Sequence, residues 1–326
     1  MKKKTSEIYL FIFSFLVLFF IIWKTNSYLI NGLEETYLKS LINYNILSPD
    51  YEFLFQGNEE DRKFFRKYNI YFVSYLYLKI SNILLYFKLD NNLLIYIHYS
   101  LISLSLSGGI FFTLKCVEKT CSQNIHTIWI YILSTATYIV VVGKVNDGFS
   151  HFEFFFVSAC LYFSMHKKII MFILFSLLAV ANRETGILTF FIYFLINKKN
   201  LKTFSVSIVP IIFFLLSNFN FFIEYPYSFN KIIFVSSDIS RPNLFDIFNL
   251  DLKKSIGYLC YTLIIYGPLI YCAIDYKIFI NKNHNYLFFL FLLVLNFGTF
   301  VGNIYPQLVI IPFLSLIFFE KKLKNT

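Results

Sequence analysis

The sequence predicts an all-α protein: one polytopic integral membrane domain over residues 1–326, with about ten transmembrane helices and additional helices lying on the outer surface. Three observations predict it. The chain is 57% hydrophobic and only 15% charged, with a mean hydropathy of +0.62, well beyond a soluble domain. Long apolar runs recur from end to end, and no linker or shift of composition marks a second domain. The lysines gather in short segments between alternate runs, as the positive-inside rule requires of a multi-pass protein. The formal charge of +10 therefore speaks of topology and not of nucleic acid.

The first apolar run, Ile8–Trp23, follows Lys2-Lys3-Lys4. No small-residue cleavage site follows it, so it reads as an uncleaved anchor with a cytoplasmic amino terminus. A long polar outer loop, 24–91, comes next. Within it, 64–91 is rich in Leu, Ile and Tyr but carries Arg66, Lys67, Lys79, Asn82 and Lys88. As a spanning helix this segment would put Lys79 near the bilayer centre, at a cost of about 2.5–3.5 kcal/mol. As an interfacial helix it lets the lysines snorkel, and that is the assignment here. Further spans are expected at 92–114, 127–143, 151–165, 169–181, 185–197, 203–222, 255–274, 285–301 and 304–319, with a second long outer loop at 223–254.

Two of these runs are short. Ile169–Val180 and Ile187–Ile196 flank Ala181-Asn182-Arg183-Glu184-Thr185-Gly186. At 1.5 Å per residue each covers roughly 20 Å at most, against a hydrocarbon core of about 30 Å. They are expected to form a hairpin that holds Arg183 and Glu184 below the membrane surface, where a charge must face protein or a wet cavity. A single helix through 169–197 would instead send Lys167-Lys168 and Lys198-Lys199 to opposite faces. With the hairpin and the interfacial helix together, the cytoplasmic segments hold 15 lysines against four acids and the outer ones 14 basic residues against 15 acids. Both termini are then cytoplasmic, and the protein belongs in a bacterial inner membrane.

This topology collects the polar groups on the outer face. Loop 24–91 carries Glu34, Glu35, Asp50 and Glu52; the next outer turn carries Asp147, His151 and Glu153; the hairpin tip carries Asn182, Arg183 and Glu184; loop 223–254 carries Arg241. Carboxylates beside a few bases, open to the outer leaflet, suit sugar transfer from a lipid-linked phosphate to a hydroxyl. A carboxylate from Glu34, Glu35 or Asp50 would take the hydroxyl proton. Arg183 would hold the phosphate by charge-assisted hydrogen bonds. Glu184 would orient the phosphate or the acceptor, and Asn182, Asp147, His151, Glu153 and Arg241 complete a binding surface. The outer face has no nucleotide supply, so the donor would be a polyprenyl-phosphate sugar and the partner a glycan acceptor. The pair Asp50 and Glu52 could hold a divalent cation, though nothing in the sequence requires one. Cys116, Cys121 and His126 lack a convincing metal spacing, and the five cysteines indicate no disulfide framework. The 43 Phe and 25 Tyr are too widespread to mark a sugar-stacking site.

The layout resembles the polytopic membrane glycosyltransferases of the GT-C class, in which a first span precedes a long outer loop with interfacial helices and a catalytic acid. Asn182-Arg183-Glu184-Thr185 is similar to a motif of bacterial membrane proteins related to that class, and Asp147-Gly148-Phe149-Ser150-His151-Phe152-Glu153 resembles their aromatic run beginning with an acid. Gly302-Asn303-Ile304-Tyr305-Pro306-Gln307 looks like a related turn. The resemblance implies a glycosyltransferase of surface polysaccharide assembly. Two other readings remain open at the level of sequence: a repeat-unit polymerase, which should carry an Arg-rich outer loop where this chain offers Arg241, and a transporter or flippase of lipid-linked glycans, which should show an internal repeat.

Overall fold

The computed structural model describes residues 2–25, 79–80, 83, 86–87, 92–120, 125–143, 148–182, 184–197, 200–217, 256 and 305–322. Among the described residues the protein is all-helical, with no strand. In chain order the helices are α1 (Lys2–Thr25), α2 (Asn92–Thr120), α3 (Ile125–Gly143), α4 (Gly148–Met165), α5 (Ile169–Asn182), α6 (Thr189–Ile196), α7 (Leu201–Ser217) and α8 (Ile311–Lys322). A 3-10 turn, Glu184–Leu188, joins α5 to α6, and another, Tyr305–Ile310, leads into α8. The expected spans at 255–274 and 285–301, most of the segment 64–91 and the loop 223–254 lie outside the described residues.

Helix α2 is the hub, packed against α1, α3, α4 and α8. It contacts α4 most closely at Gly108 and Gly109, where a Cβ would meet the Phe155 ring at 2.5 Å and the Phe154 ring at 2.4 Å. One turn on, Thr113 donates to the Ser158 hydroxyl at 3.3 Å, and at the far end the Lys119 ammonium donates to the Met165 carbonyl. Sequence numbers rise together along this seam, so α2 and α4 run parallel. The first helix runs the other way. Glu7 of α1 pairs with Lys115 near the end of α2, the Phe11 and Phe111 rings meet edge to face, and Trp129 of α3 donates to Ser14 at 2.8 Å.

These contacts gather the lysines at one end of the bundle. Lys115, Lys119, Lys167, Lys168 and Lys202 all stand there, with Glu7 and Glu118 as counter-charges. Several starts shift by two or three residues from the sequence expectation, as at Ile125, Gly148 and Leu201, the runs 185–197 and 304–319 open on 3-10 turns, and two helices extend by six residues. Helix α2 runs on to Thr120 instead of stopping at 114, because Lys115 and Glu118 pair at 3.1 Å on the i, i+3 face and the Thr120 hydroxyl bonds back to the Val117 carbonyl. Cys116, expected in a loop, is consequently a buried helical residue. The other extension is α1, which starts at Lys2, before its apolar run.

The short pair behaves as its length dictates. Helices α5 and α6 return to the same end: Asn197, just past α6, donates to the Ser164 hydroxyl at 3.0 Å at the end of α4, and the Phe172 and Tyr193 rings lie 4.6 Å apart. Asn200 then caps α7 through the Thr203 amide at 2.8 Å. Residues that face inward include Ser103, Ser107, Thr113, Ser158, Ser164, Thr189 and Ser207, while Ile8, Ile12, Leu16 and Phe20 of α1, Ile170 of α5 and Leu216 of α7 are exposed. Small polar residues are set among a core of large apolar side chains that includes Tyr99, Phe154, Phe172 and Phe214, and large apolar side chains face out as well.

The turn from α4 to α5 closes with two reversed bonds, Lys168 N–H to the Phe163 carbonyl at 2.9 Å and Lys167 N–H to the Ser164 carbonyl at 3.0 Å. That is a Schellman ending, and it puts Lys167 at φ 55°, where a Cβ costs about 1–2 kcal/mol. Lys167→Gly should raise the midpoint of thermal unfolding in detergent, by an amount equivalent to about 1 kcal/mol; circular dichroism checks it.

Candidate functional site

The end of the bundle opposite the lysines holds the buried ionisable side chains. Helix direction puts there the last turns of α1 and α3, the first turns of α2 and α4, and the tip between α5 and α6. Four polar residues at this end are all but inaccessible: His98 on α2 (1% exposed), His151 (0%) and Glu153 (1%) on α4, and Asn182 at the end of α5 (1%).

The two α4 residues serve different seams. Positions two apart on a helix point about 200° apart around its axis. His151 continues the line of Phe154, Phe155 and Ser158, which meets α2. By the Gly109–Phe154 and Thr113–Ser158 contacts His151 comes level with about residue 105 of α2, so His98 stands about two turns further toward the same end. Glu153 continues the line of Phe156, Cys160 and Ser164. That line faces the hairpin: the Phe156 ring lies 6.3 Å from Phe175, the Cys160 thiol is 4.0 Å from the Phe172 carbonyl, and Ser164 meets Asn197. Extending this antiparallel register by one turn sets Glu153 level with Leu178 and Ala179, one turn below Asn182. The helix α4 therefore divides the polar end into an imidazole side toward α2 and a carboxylate side toward the hairpin.

The hairpin tip is fixed by a backbone contact. A Cβ on Gly186 would stand 2.2 Å from the Ala179 carbonyl carbon and 2.4 Å from the Val180 nitrogen, so the 3-10 turn lies directly on the last turns of α5. Thr189 then donates to the Gly186 carbonyl at 2.7 Å and starts α6. Helix α7 also packs on this turn. The tip is thereby held at the level of Glu153 and Asn182.

Of the residues expected from sequence, His151, Glu153 and Asn182 come together at this end. The backbone of Glu184 lies in the 3-10 turn beside them. Glu34, Glu35, Asp50, Asp147, Arg183 and Arg241 lie outside the described residues. The turn at Tyr305–Ile310 packs on α3 and α4. His98 was not expected: a single histidine in the apolar run of the span 92–114 carries no pattern, and only its burial marks it out. Among the described residues no three His, Cys, Asp or Glu side chains stand together as a metal site. The arrangement offers imidazole and carboxylate groups in an apolar surround, where proton transfer and anion binding are both strengthened by the low polarity.

Gly186→Ala forces a methyl group against main-chain atoms that have no rotamer to change. The substitution should destabilise the protein by about 1–3 kcal/mol and disturb the tip first, which hydrogen exchange at residues 184–188 would record before any change in α2.

No family model matches the chain, and no curated protein and no solved structure matches it.

Proposed function

We propose that this chain is a multi-pass inner-membrane glycosyltransferase that takes a sugar from a polyprenyl-phosphate donor at the outer face and passes it to a glycan acceptor. The observation that carries the reading is the buried set His151, Glu153 and Asn182, level with a hairpin tip whose sequence is Asn182-Arg183-Glu184. Groups of this kind inside an apolar helix bundle are expensive and are kept where a substrate or ion needs them.

The membrane part of the reading has its own support. Two helices among the described residues, Ser6–Thr25 and Tyr96–Thr120, are long and apolar enough to cross a bilayer, and shorter apolar helices surround them. Buried hydroxyls at the helix contacts together with large apolar side chains on the outer surface suit a lipid solvent, since helices in lipid associate through small and hydroxylated residues. In water the exposed face of α1 would be an aggregation surface. A lysine-rich end with a hairpin that returns to it supports a cytoplasmic assignment for that end under the positive-inside rule, with the acid- and imidazole-bearing end outward. About ten spans follow if the runs at 255–274 and 285–301 cross as well.

In the reaction, the acceptor oxygen attacks the anomeric carbon of the donor sugar. The bond from that carbon to the phosphate oxygen breaks, and its electron pair leaves on the polyprenyl phosphate. Arg183 carries the growing phosphate charge, worth more in this apolar setting than in water. The hydroxyl proton passes to a carboxylate, for which Glu34, Glu35 and Asp50 remain the candidates from the long outer loop. Glu153 and Asn182 hold the tip and the sugar in register.

Arg183→Ala should lower transfer from a polyprenyl-phosphate sugar by at least about a hundredfold at unchanged expression, with Arg183→Lys only partly restoring it because the planar fork is lost. Unchanged transfer by Arg183→Ala overturns the phosphate-binding role. For topology, single cysteines at 147 and 199 should react from opposite faces, 147 from outside and 199 only after permeabilisation.

A further inference from the structure

We infer that the lysine-bearing turn between α4 and α5 is a docking site for an anionic phospholipid, with its phosphodiester on Lys119, Lys167 and Lys168 and an acyl chain along the exposed face of α5. The inference goes beyond sugar transfer and rests only on the membrane part of the reading above. Three observations carry it. Lys167 holds a left-handed backbone, φ 55°, at the position of this helix ending where glycine is unstrained. A lysine kept there at a cost points to a use for its side chain, which is exposed together with that of Lys168. Lys119, from the last turn of α2, reaches across to the same turn and donates to the Met165 carbonyl. An ammonium carries three donors, so one carbonyl does not saturate it. The exposed face of α5 then begins directly after the lysines: Ile170 is 81% exposed, Met171 37% and Leu174 48%.

Charge and shape decide the occupant. Glu7 and Glu118 both lie on Lys115, on the side of α2 that meets α1, and among the described residues no carboxylate pairs with Lys119, Lys167 or Lys168. Like charges gathered on one turn repel one another, and an anion between them relieves the repulsion. A small soluble anion would answer the charges and leave Ile170, Met171 and Leu174 without a role. Ile170 and Leu174 are i, i+4 neighbours on one helix face. Leu174 lies roughly 9 Å along the axis from Lys168, in the direction an acyl chain takes from its phosphate into the bilayer. Lys202 is exposed on the first turn of α7, which packs on α5, and it adds charge at the same level. Each lysine beside a lipid headgroup contributes about fivefold in affinity, and salt screens that contribution.

Thermal unfolding of the full chain in an uncharged detergent, followed by circular dichroism, tests this. The probe is phosphatidylglycerol, with phosphatidylcholine as the lipid of no net charge and diethyl phosphate as the lipid-free diester. Phosphatidylglycerol should raise the midpoint to a plateau, and the other two should not. The apparent affinity should fall about fivefold in each of Lys119→Gln, Lys167→Gln and Lys168→Gln, while Lys167→Arg keeps it. Lys24→Gln removes a charge from the end of α1, at the opposite end of the bundle, and should leave the response unchanged. Lys167→Gly separates lipid from fold: it should unfold later than the native chain without lipid, yet gain less from phosphatidylglycerol, so the two midpoints converge as lipid is added. An equal rise with phosphatidylcholine or diethyl phosphate overturns the inference, as does an unchanged response in Lys167→Gln and Lys168→Gln. If the variants fail to fold, the native chain decides: a phosphatidylglycerol effect undiminished in about 1 M salt overturns it. Chain that alkaline carbonate washes off membranes defeats the membrane reading and this site together. Chain that stays in the membrane but is indifferent to phosphatidylglycerol removes the site alone.

Discussion

The contact of Gly186 with the backbone of Ala179 and Val180 sets the depth of everything else at the polar end. With no side chain between them, the 3-10 turn sits on α5 itself, and α6 can run straight back to Asn197 and Ser164. A residue with a Cβ would push the turn Glu184–Leu188 away from α5. The tip is thus positioned by main chain, the least adjustable part of the protein, and Glu153 meets the hairpin at the same level from α4.

The second constraint is the parallel seam of α2 and α4. Gly108 and Gly109 admit the Phe155 and Phe154 rings, and the Thr113–Ser158 bond satisfies two hydroxyls between the helices. Because the helices run in the same direction, their first turns lie at the same end, and His98 and His151 share it. An antiparallel pair would have set His98 among the lysines. The alternation of α4 then does the rest, sending His151 to one seam and Glu153 to the other.

Much of this was legible in the sequence, and the physical reasons differ by element. Run length against bilayer thickness foretold the return of α5 and α6, because an apolar stretch of ten or twelve residues interrupted by Asn-Arg-Glu-Thr-Gly has few other options. Lysine placement gave the common end of Lys115, Lys167 and Lys202. The gathering of His151, Glu153 and Asn182 at one end could be read because they sit at the edges of the apolar runs, where a polar residue stands out. The burial of His98 could not be read, since a lone histidine in an apolar run carries no pattern. Nor could the split between His151 and Glu153, which depends on which seam each helical face meets. The extension of α2 to Thr120 was hidden for a related reason: Lys115, Glu118 and Lys119 look like a loop until their pairing along the helix is seen.

The brevity of α5 and α6 also bears on how such a chain is made. On the membrane reading proposed above, neither arm has enough apolar length to be retained by an insertion machinery that admits segments one at a time into lipid. The two would then enter as a pair, since the turn at Gly186 rests on α5 and needs both arms before it can form.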